Sequence, residues 1–187
     1  MALGALVITL TLAAFLGVLQ NGFVNWDDPV NFLNNPSYRG LGFSQLKWMF
    51  TTFHMGHYIP LTWLTLGADY LVWGMDPAGY HLTSLLFHAA TALCFYAVAR
   101  RLLARALPAR ASTGDIALGA ATAALLFAVH PLRVESMAWI TERRDVVSGL
   151  FFMLDPGRAG ACLSAREAVR LLDLPPPPEL EACRQPG

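Results

Sequence analysis

The sequence predicts an all-α integral membrane protein, and two observations carry that prediction. Of its 187 residues, 55% are hydrophobic and only 14% are charged, whereas a soluble domain carries about 25% charged residues. The apolar residues also fall in long blocks instead of the stripes of a soluble amphipathic element. A formal net charge of zero gives no electrostatic support to nucleic-acid binding. We therefore expect a lipid bilayer as partner and no nucleic acid.

Three apolar blocks predict complete transmembrane helices, at about residues 2–20, 80–99 and 116–130, since roughly 20 residues cross a bilayer. No Lys or Arg precedes the first block and no small-residue cleavage site follows it, so it predicts a retained anchor and not a signal peptide. A fourth block, at 146–154, stops well short of a full span.

Residues 21–79 are predicted to form an external loop with interfacial helices. One short helix is indicated by four apolar residues at helical spacing. These are Leu46, Met49, Phe50 and Phe53. Such a helix lies flat in the headgroup region, although an ordinary soluble amphipathic helix has the same pattern. Residues 59–73 are apolar but short and include Asp69, so their own pattern leaves open whether they cross the membrane or lie at its surface.

Arginine placement decides the predicted topology. The block at 80–99 is followed by arginines, with no acid before Asp115. They are Arg100, Arg101, Arg105 and Arg110. Arginine-rich loops prefer the cytoplasm. If residues 59–73 crossed the membrane, the arginine loop would be external, whereas if they stay at the outer surface it is cytoplasmic. We predict the second arrangement, with residues 59–73 as a surface-lying or re-entrant helix. The polar segments at the opposite ends of the apolar blocks are then external.

Two polar clusters then share the external side. The acidic doublet, Asp27 and Asp28, lies in Asn25-Trp26-Asp27-Asp28-Pro29 directly after the first block. The second polar cluster, residues 130–145, follows the third block. Each cluster has a simpler interpretation as well, because Asp before Pro initiates turns and charges at the end of a span anchor it at the interface.

From residue 155 onward the composition changes abruptly to Arg, Ala, Gly and Pro, ending with the proline run 175–178. We expect residues 155–187 to be a disordered or aberrant tail on a truncated chain. The domain proper would then be residues 1–154.

Several short motifs occur in a fixed order between residues 24 and 154. They are Asn25-Trp26-Asp27-Asp28, Tyr58-x-Pro60-Leu61, Gly79-Tyr80-His81-Leu82, His88-Ala89, Phe127-Ala128-Val129-His130-Pro131, Glu135, Trp139 and Arg143-x-Asp145. This ordered set resembles the amino-terminal membrane part of the O-mannosyltransferases that carry transmembrane segments followed by tetratricopeptide repeats, and their bacterial relatives. It is more distantly similar to protein O-mannosyltransferases with the GT-C fold. Ser84 stands where Asn is expected, and the later spans and repeats are absent.

The resemblance implies a partial GT-C-type bundle of about three complete spans. It implies transfer of a sugar, mannose, from a polyprenyl-phosphate donor to Ser or Thr of an acceptor protein. The membrane would be the bacterial inner membrane, or the endoplasmic reticulum membrane in a eukaryotic host, with the acidic loops external or lumenal. Whether a divalent metal takes part stays open. A truncated chain is expected to be inactive alone, and the alternative is a non-catalytic membrane protein fragment.

The resemblance and the chemistry together assign the doublet to catalysis. A serine or threonine hydroxyl needs a base to become a nucleophile. Asp27 is preferred as that base, with Asp28 as its orienting partner or a metal contact, although the sequence does not separate the two.

The leaving phosphate needs a cation, because it already carries negative charge. A guanidinium matches phosphate geometry, so Arg143 is preferred as the donor-phosphate ligand, ahead of Arg133 and Arg144. Three further residues would orient the arginine, touch substrate or bind a metal. They are His130, Glu135 and Asp145.

Overall fold

The structure is a computed structural model that describes residues 2–107 and 111–154, so Arg110 and the tail predicted at 155–187 lie outside the described residues. Within those two ranges the chain is all-helical and contains no β-strand, which confirms the all-α part of the prediction. The helices are α1 (Ala2–Phe15), α2 (Phe43–Thr51), α3 (Pro60–Trp73), α4 (Pro77–Ala106), α5 (Thr113–Ala128), α6 (Arg133–Ala138) and α7 (Arg143–Leu154). Short 3-10 and π turns continue α1 and shape the loops around the doublet and before α7.

Two helical stretches are long and apolar enough, by length and composition, to cross a membrane. They are Ala2–Gln20, which is α1 with its 3-10 continuation, and Pro77–Ala106. Helix α5 is apolar but has only 16 residues. The count of three complete spans therefore stays a prediction.

Helix α4 is the centre of the bundle and packs against α1, α3, α5, α6 and α7. Small side chains line its contact with α5, and they let the two helix backbones approach closely. These are Ala92 on α4 and Ala120, Ala121, Ala124 and Ala128 on α5. One turn before Ala92 on α4, the ring of His88 hydrogen-bonds to the Ala128 carbonyl at 2.9 Å.

A second core, made mostly of aromatic rings, fixes the loop region onto α4. Phe32, Tyr38, Trp63 and Tyr80 are each at most 2% exposed, and the Phe32 and Tyr38 rings meet edge-on with centroids 5.8 Å apart. Aromatic pairs in this geometry stabilise a core beyond the area they bury. The cluster therefore holds α3 and the loop before α2 as one unit with the start of α4.

Helix α2 forms where the apolar stripe predicted it, but the stripe is not buried along its whole length. Met49 is fully buried in the aromatic core, whereas Phe50 is 48% exposed and Phe53, beyond the helix end, is 75% exposed. The pattern found the helix, and the packing of the loops decided which apolar residues point inward.

Two helices begin before the apolar blocks that predicted them, because polar caps set their starts. Asp76 accepts a hydrogen bond from the Ala78 amide at 3.0 Å and Pro77 occupies the first turn of α4, where a missing N–H costs nothing. Ser112 and Asp115 form a reciprocal capping box at the start of α5.

Candidate functional site

The two members of the acidic doublet have different environments. Asp28 is fully buried. One carboxylate oxygen accepts the Val24 amide at 2.7 Å and the other accepts the Thr141 hydroxyl at 2.7 Å. Asp27 is partly exposed and no side-chain hydrogen bond is recorded for it within the described residues. The carboxylate of Asp28 is therefore committed to holding the fold, and that of Asp27 is available.

Thr141 connects the first loop with the second polar cluster. Its hydroxyl donates to Asp28 and accepts from the Asn31 side-chain amide at 3.1 Å. These contacts bridge more than a hundred residues of sequence, since Asp28 and Thr141 are 113 positions apart. The two polar clusters that the sequence identified separately thus lie in direct contact.

A cavity of about 100 Å³ opens where the clusters meet. Asp27 and Arg144 both line it, so a carboxylate and a guanidinium face one space. The remaining lining residues come from the doublet's own turn, the loop before α3, α3 and the turn before α7. They are Asn31, Phe32, His54, Met55, His57, Ile59, Thr62, Trp63, Leu66 and Thr141.

Glu142 holds the guanidinium of Arg144. The two groups form an ion pair with a 2.5 Å nitrogen–oxygen distance, and Glu142 is 7% exposed while the Arg144 side chain is 33% exposed. A planar guanidinium has five donors, so one contact to Glu142 leaves others for a ligand. Arg144 is thus a partly exposed cation in a fixed position.

Arg143, the residue that the sequence favoured as phosphate ligand, lies in a different environment from Arg144. It is fully buried. Each guanidinium nitrogen has a protein acceptor: one pairs with Asp69, one bonds to the Tyr80 carbonyl, and Nε donates to the Ser84 hydroxyl at 3.1 Å. A phosphate could reach this group only by displacing those acceptors, which argues against Arg143 as the donor-phosphate ligand. The serine at position 84, where the family pattern has Asn, serves as one of these acceptors.

The other sequence-predicted residues lie outside the cavity lining. Arg133 stacks over the Phe127 ring with its guanidinium carbon 4.6 Å from the centroid. His130 is exposed and its Nδ1 accepts the Leu132 amide at 3.3 Å. Glu135 is exposed. These three residues and the cavity therefore do not come together.

An open groove adjoins the cavity and shares Ile59, Thr62 and Arg144 with it. Its volume is about 550 Å³. Asp145, the last of the predicted supporting residues, lines this groove and accepts a long hydrogen bond from Ser136 at 3.5 Å. The rest of the lining is mostly apolar and comes from the start of α3 and the exposed face of α7. It comprises Tyr58, Pro60, Leu61, Val147, Ser148 and Phe151.

Sequence reasoning missed His54, His57 and Trp63 in the cavity, and the acids Asp69 and Glu142 behind the two arginines. Asp69 gave a signal, because an acid inside an apolar stretch calls for a buried cation. The histidines gave none, since their position depends on the fold of the loop.

Within the described residues no group of three His, Cys, Asp or Glu side chains is arranged to hold a metal ion. Among the loop residues, burial raises the pKa of the Tyr38 phenol, so this group acts as a neutral hydrogen-bonding partner near Tyr80, with their hydroxyl oxygens 3.3 Å apart.

Comparison with known proteins finds relatives that are named protein O-mannosyl-transferases. It is 31% identical over 158 residues to the protein O-mannosyl-transferase TMTC3 of Mus musculus, covering 79% of this chain and 16% of that relative. It is 35% identical over 105 residues to Tmtc3 of Drosophila melanogaster, covering 51% of this chain and 11% of the relative. It is 38% identical over 97 residues to tmtc2 of Xenopus laevis, covering 52% of this chain and 10% of that relative.

The chain thus spans about a sixth or less of the length of each of these relatives. No protein-family profile matches the chain, and no solved structure matches it. The ordered motifs and these relatives agree, and the chain belongs to the TMTC family of protein O-mannosyl-transferases.

Proposed function

We propose that the chain carries part of the active site of a membrane glycosyltransferase, which transfers mannose from a polyprenyl-phosphate donor to serine or threonine hydroxyls of proteins. The observation that carries the proposal is the shared cavity of Asp27 and Arg144. One side chain is a base and the other is a cation of the kind that binds phosphate. Transfer of a sugar from a phosphate leaving group to a hydroxyl needs both. The relatives are named protein O-mannosyl-transferases, which agrees with this chemistry.

Asp27 acts as the general base. Its carboxylate lines the cavity and can accept the proton of an acceptor hydroxyl as the oxygen attacks the sugar carbon. The transition state at that carbon has cationic character, so the same carboxylate also stabilises it electrostatically. Asp28 is the positioning partner, because its two oxygens hold the turn through Val24 and Thr141.

Arg144, in place of Arg143, binds the donor phosphate. Its guanidinium is partly exposed at the cavity and fixed by Glu142, while that of Arg143 is enclosed by protein acceptors. The charge–charge contact stabilises the phosphate as it departs from the sugar. Glu142 keeps the arginine in place between turnovers.

The groove beside Arg144 accommodates the start of the lipid chain. It is lined by apolar side chains of α3 and α7 and meets the cavity at Arg144, where the phosphate would be. An apolar tail leaving a phosphate at this point would run along the exposed face of α7. The arrangement therefore matches the polarity of a polyprenyl phosphate from head to tail.

A chimera tests the transfer reaction, because the aligned part covers 16% of the mouse relative. The matched part of mouse TMTC3 is replaced by the matched part of this chain, and mannose transfer from polyprenyl-phosphate mannose to an acceptor protein is measured. Asp27→Asn and Arg144→Gln should each lower the rate by about 100-fold or more. Asp76→Asn and Arg105→Gln, matched changes at exposed positions, should leave it within about twofold. Unchanged transfer by Asp27→Asn would refute the assignment of the base.

The bilayer placement is part of the same proposal. The contact between Asp28 and Thr141 supports placing both polar clusters on one side of the membrane, which we assign to the external or lumenal side, with Arg105 on the other. Single cysteines replacing Trp26, Glu135 and Arg105, all exposed, would be labelled in cells on a background free of native cysteines. We expect Trp26→Cys and Glu135→Cys to react from outside and Arg105→Cys to be protected. Labelling of the first two from opposite sides would contradict the common site.

A further inference from the structure

Two ring side chains in the cavity have polar atoms that the roles above do not use. Nε2 of His54 and Nε1 of Trp63 are buried and have no hydrogen-bond partner among residues 2–107 and 111–154. Both residues line the cavity with Asp27. Their rings meet edge-on, with centroids 5.5 Å apart and an interplanar angle of 83°. Two residues with buried, unpartnered ring nitrogens thus lie beside one another in the lining of one cavity.

Packing of the loop fixes these rings independently of the missing hydrogen bonds. His54 and His57 exchange backbone hydrogen bonds of 3.1 Å and 2.9 Å across a tight turn. Trp48 of α2 packs edge-on against both His54 and Trp63, with centroid distances of 5.7 Å and 5.1 Å. The rings therefore keep their positions at a cost, since buried donors and acceptors without partners are unfavourable.

A ligand with hydroxyl groups would satisfy both atoms. A hydroxyl oxygen accepts from the Trp63 indole N–H, and a hydroxyl either donates to or accepts from His54 Nε2, according to the tautomer. Asn31, Thr62 and Thr141 add further polar side chains to the lining. The cavity volume of about 100 Å³ is several times the roughly 10–15 Å³ that one water requires, so there is room for groups larger than one water.

We propose that His54 and Trp63 form a subsite that recognises the hexose of the donor. The two nitrogens bond to sugar hydroxyls, as a few polar groups on an apolar wall commonly give a pocket its specificity. This proposal rests on the donor site proposed above. It adds that the affinity for the mannosyl lipid exceeds that for the bare lipid phosphate because of these two side chains.

The test compares two lipid probes on the full chain in nanodiscs. One is radiolabelled polyprenyl-phosphate mannose and the other is radiolabelled polyprenyl phosphate without sugar. The wild-type chain should bind the mannosyl lipid at least tenfold more tightly. His54→Phe and Trp63→Phe, which keep an aromatic ring and remove the nitrogen, should each raise the Kd of the mannosyl lipid about 3- to 10-fold. Neither should change the Kd of the bare lipid phosphate.

Two further variants separate the ways in which the proposal can fail. Trp139→Phe is the matched control, because its indole nitrogen is also buried without a partner but lies outside the cavity lining, and it should bind both lipids as the wild type does. Arg144→Gln should weaken both lipids equally. If Arg144→Gln does so while the wild type binds both lipids alike, or while Trp63→Phe and His54→Phe have no effect, the sugar subsite is refuted and the phosphate site stands. If the wild type binds neither lipid, both proposals are wrong.

Discussion

The buried pair of Arg143 and Asp69 should be a principal determinant of stability. Asp69, on α3, is 5% exposed and Arg143, at the start of α7, is fully buried, and the pair joins these helices to α4 through the Ser84 hydroxyl and the Tyr80 carbonyl. Asp69→Leu would leave the guanidinium charge buried with no counter-ion. Removing one partner of a buried pair costs about 3–5 kcal/mol of the free energy of unfolding.

That cost converts to a measurable change in melting temperature. For a chain of this size about 1 kcal/mol shifts Tm by roughly 2–4 °C, so Asp69→Leu should lower Tm by about 6–20 °C. The double variant Asp69→Leu/Arg143→Met should recover more than half of the loss, because it buries no unpaired charge. Fluorescence-detected size-exclusion of heated, detergent-solubilised chain measures each Tm. Asp76→Asn, an exposed acid replaced by an equally good cap, is the control.

Two outcomes would refute this reasoning. If Asp69→Leu has the same Tm as Asp76→Asn, and its free energy of unfolding is therefore within about 0.5 kcal/mol of the wild type, the ion pair does not hold the helices together. If the double variant loses as much stability as Asp69→Leu and Arg143→Met lose singly when added together, the two side chains do not interact, since independent sites add.

Two other changes have matched controls in the same assay. Thr141→Val removes the hydroxyl that donates to Asp28 and should cost about 1–3 kcal/mol, whereas Thr141→Ser should resemble the wild type. Equal stability of the two would show that this hydrogen bond does not join the polar clusters. Gly67→Ala should cost about 1–3 kcal/mol, because a Cβ there would lie 2.7 Å from the Gly40 carbonyl oxygen. Gly149→Ala, where the nearest atom is a methyl carbon at 3.8 Å, should be tolerated, and a stable Gly67→Ala protein would disprove the close backbone approach.

Hydrophobic patterning predicted the helices well because helix formation in an apolar segment depends on local sequence. The blocks at 80–99 and 116–130 became α4 and α5, extended at their starts by capping residues. The stripe around Met49 predicted α2 but not its orientation, because Phe50 has the same hydrophobicity as its buried neighbours and lies on the outside. Propensity and pattern do not contain the shape of the aromatic core against which α2 packs.

The candidate site was predictable in its chemistry and not in its membership. Charge and topology predicted that the acidic doublet and the second polar cluster share one side of the membrane, and in the structure the two clusters are in contact through Asp28 and Thr141. The histidine and tryptophan of the cavity could not be found this way, because nothing in the local sequence indicates that the loop before α3 folds over the doublet.

The sequence by itself determined the helical class, the family and the residue types available for the proposed sugar transfer, since these follow from composition, periodicity and ordered motifs. Only the tertiary structure showed that Arg143 and Arg144 have different environments. Adjacent residues on a helix point about 100° apart, so one guanidinium is directed into the bundle, where Asp69, Ser84 and Tyr80 accept its hydrogen bonds, and the other to the cavity beside Asp27. The charge is the same in both, and the difference lies in the partners that the rest of the chain brings to each.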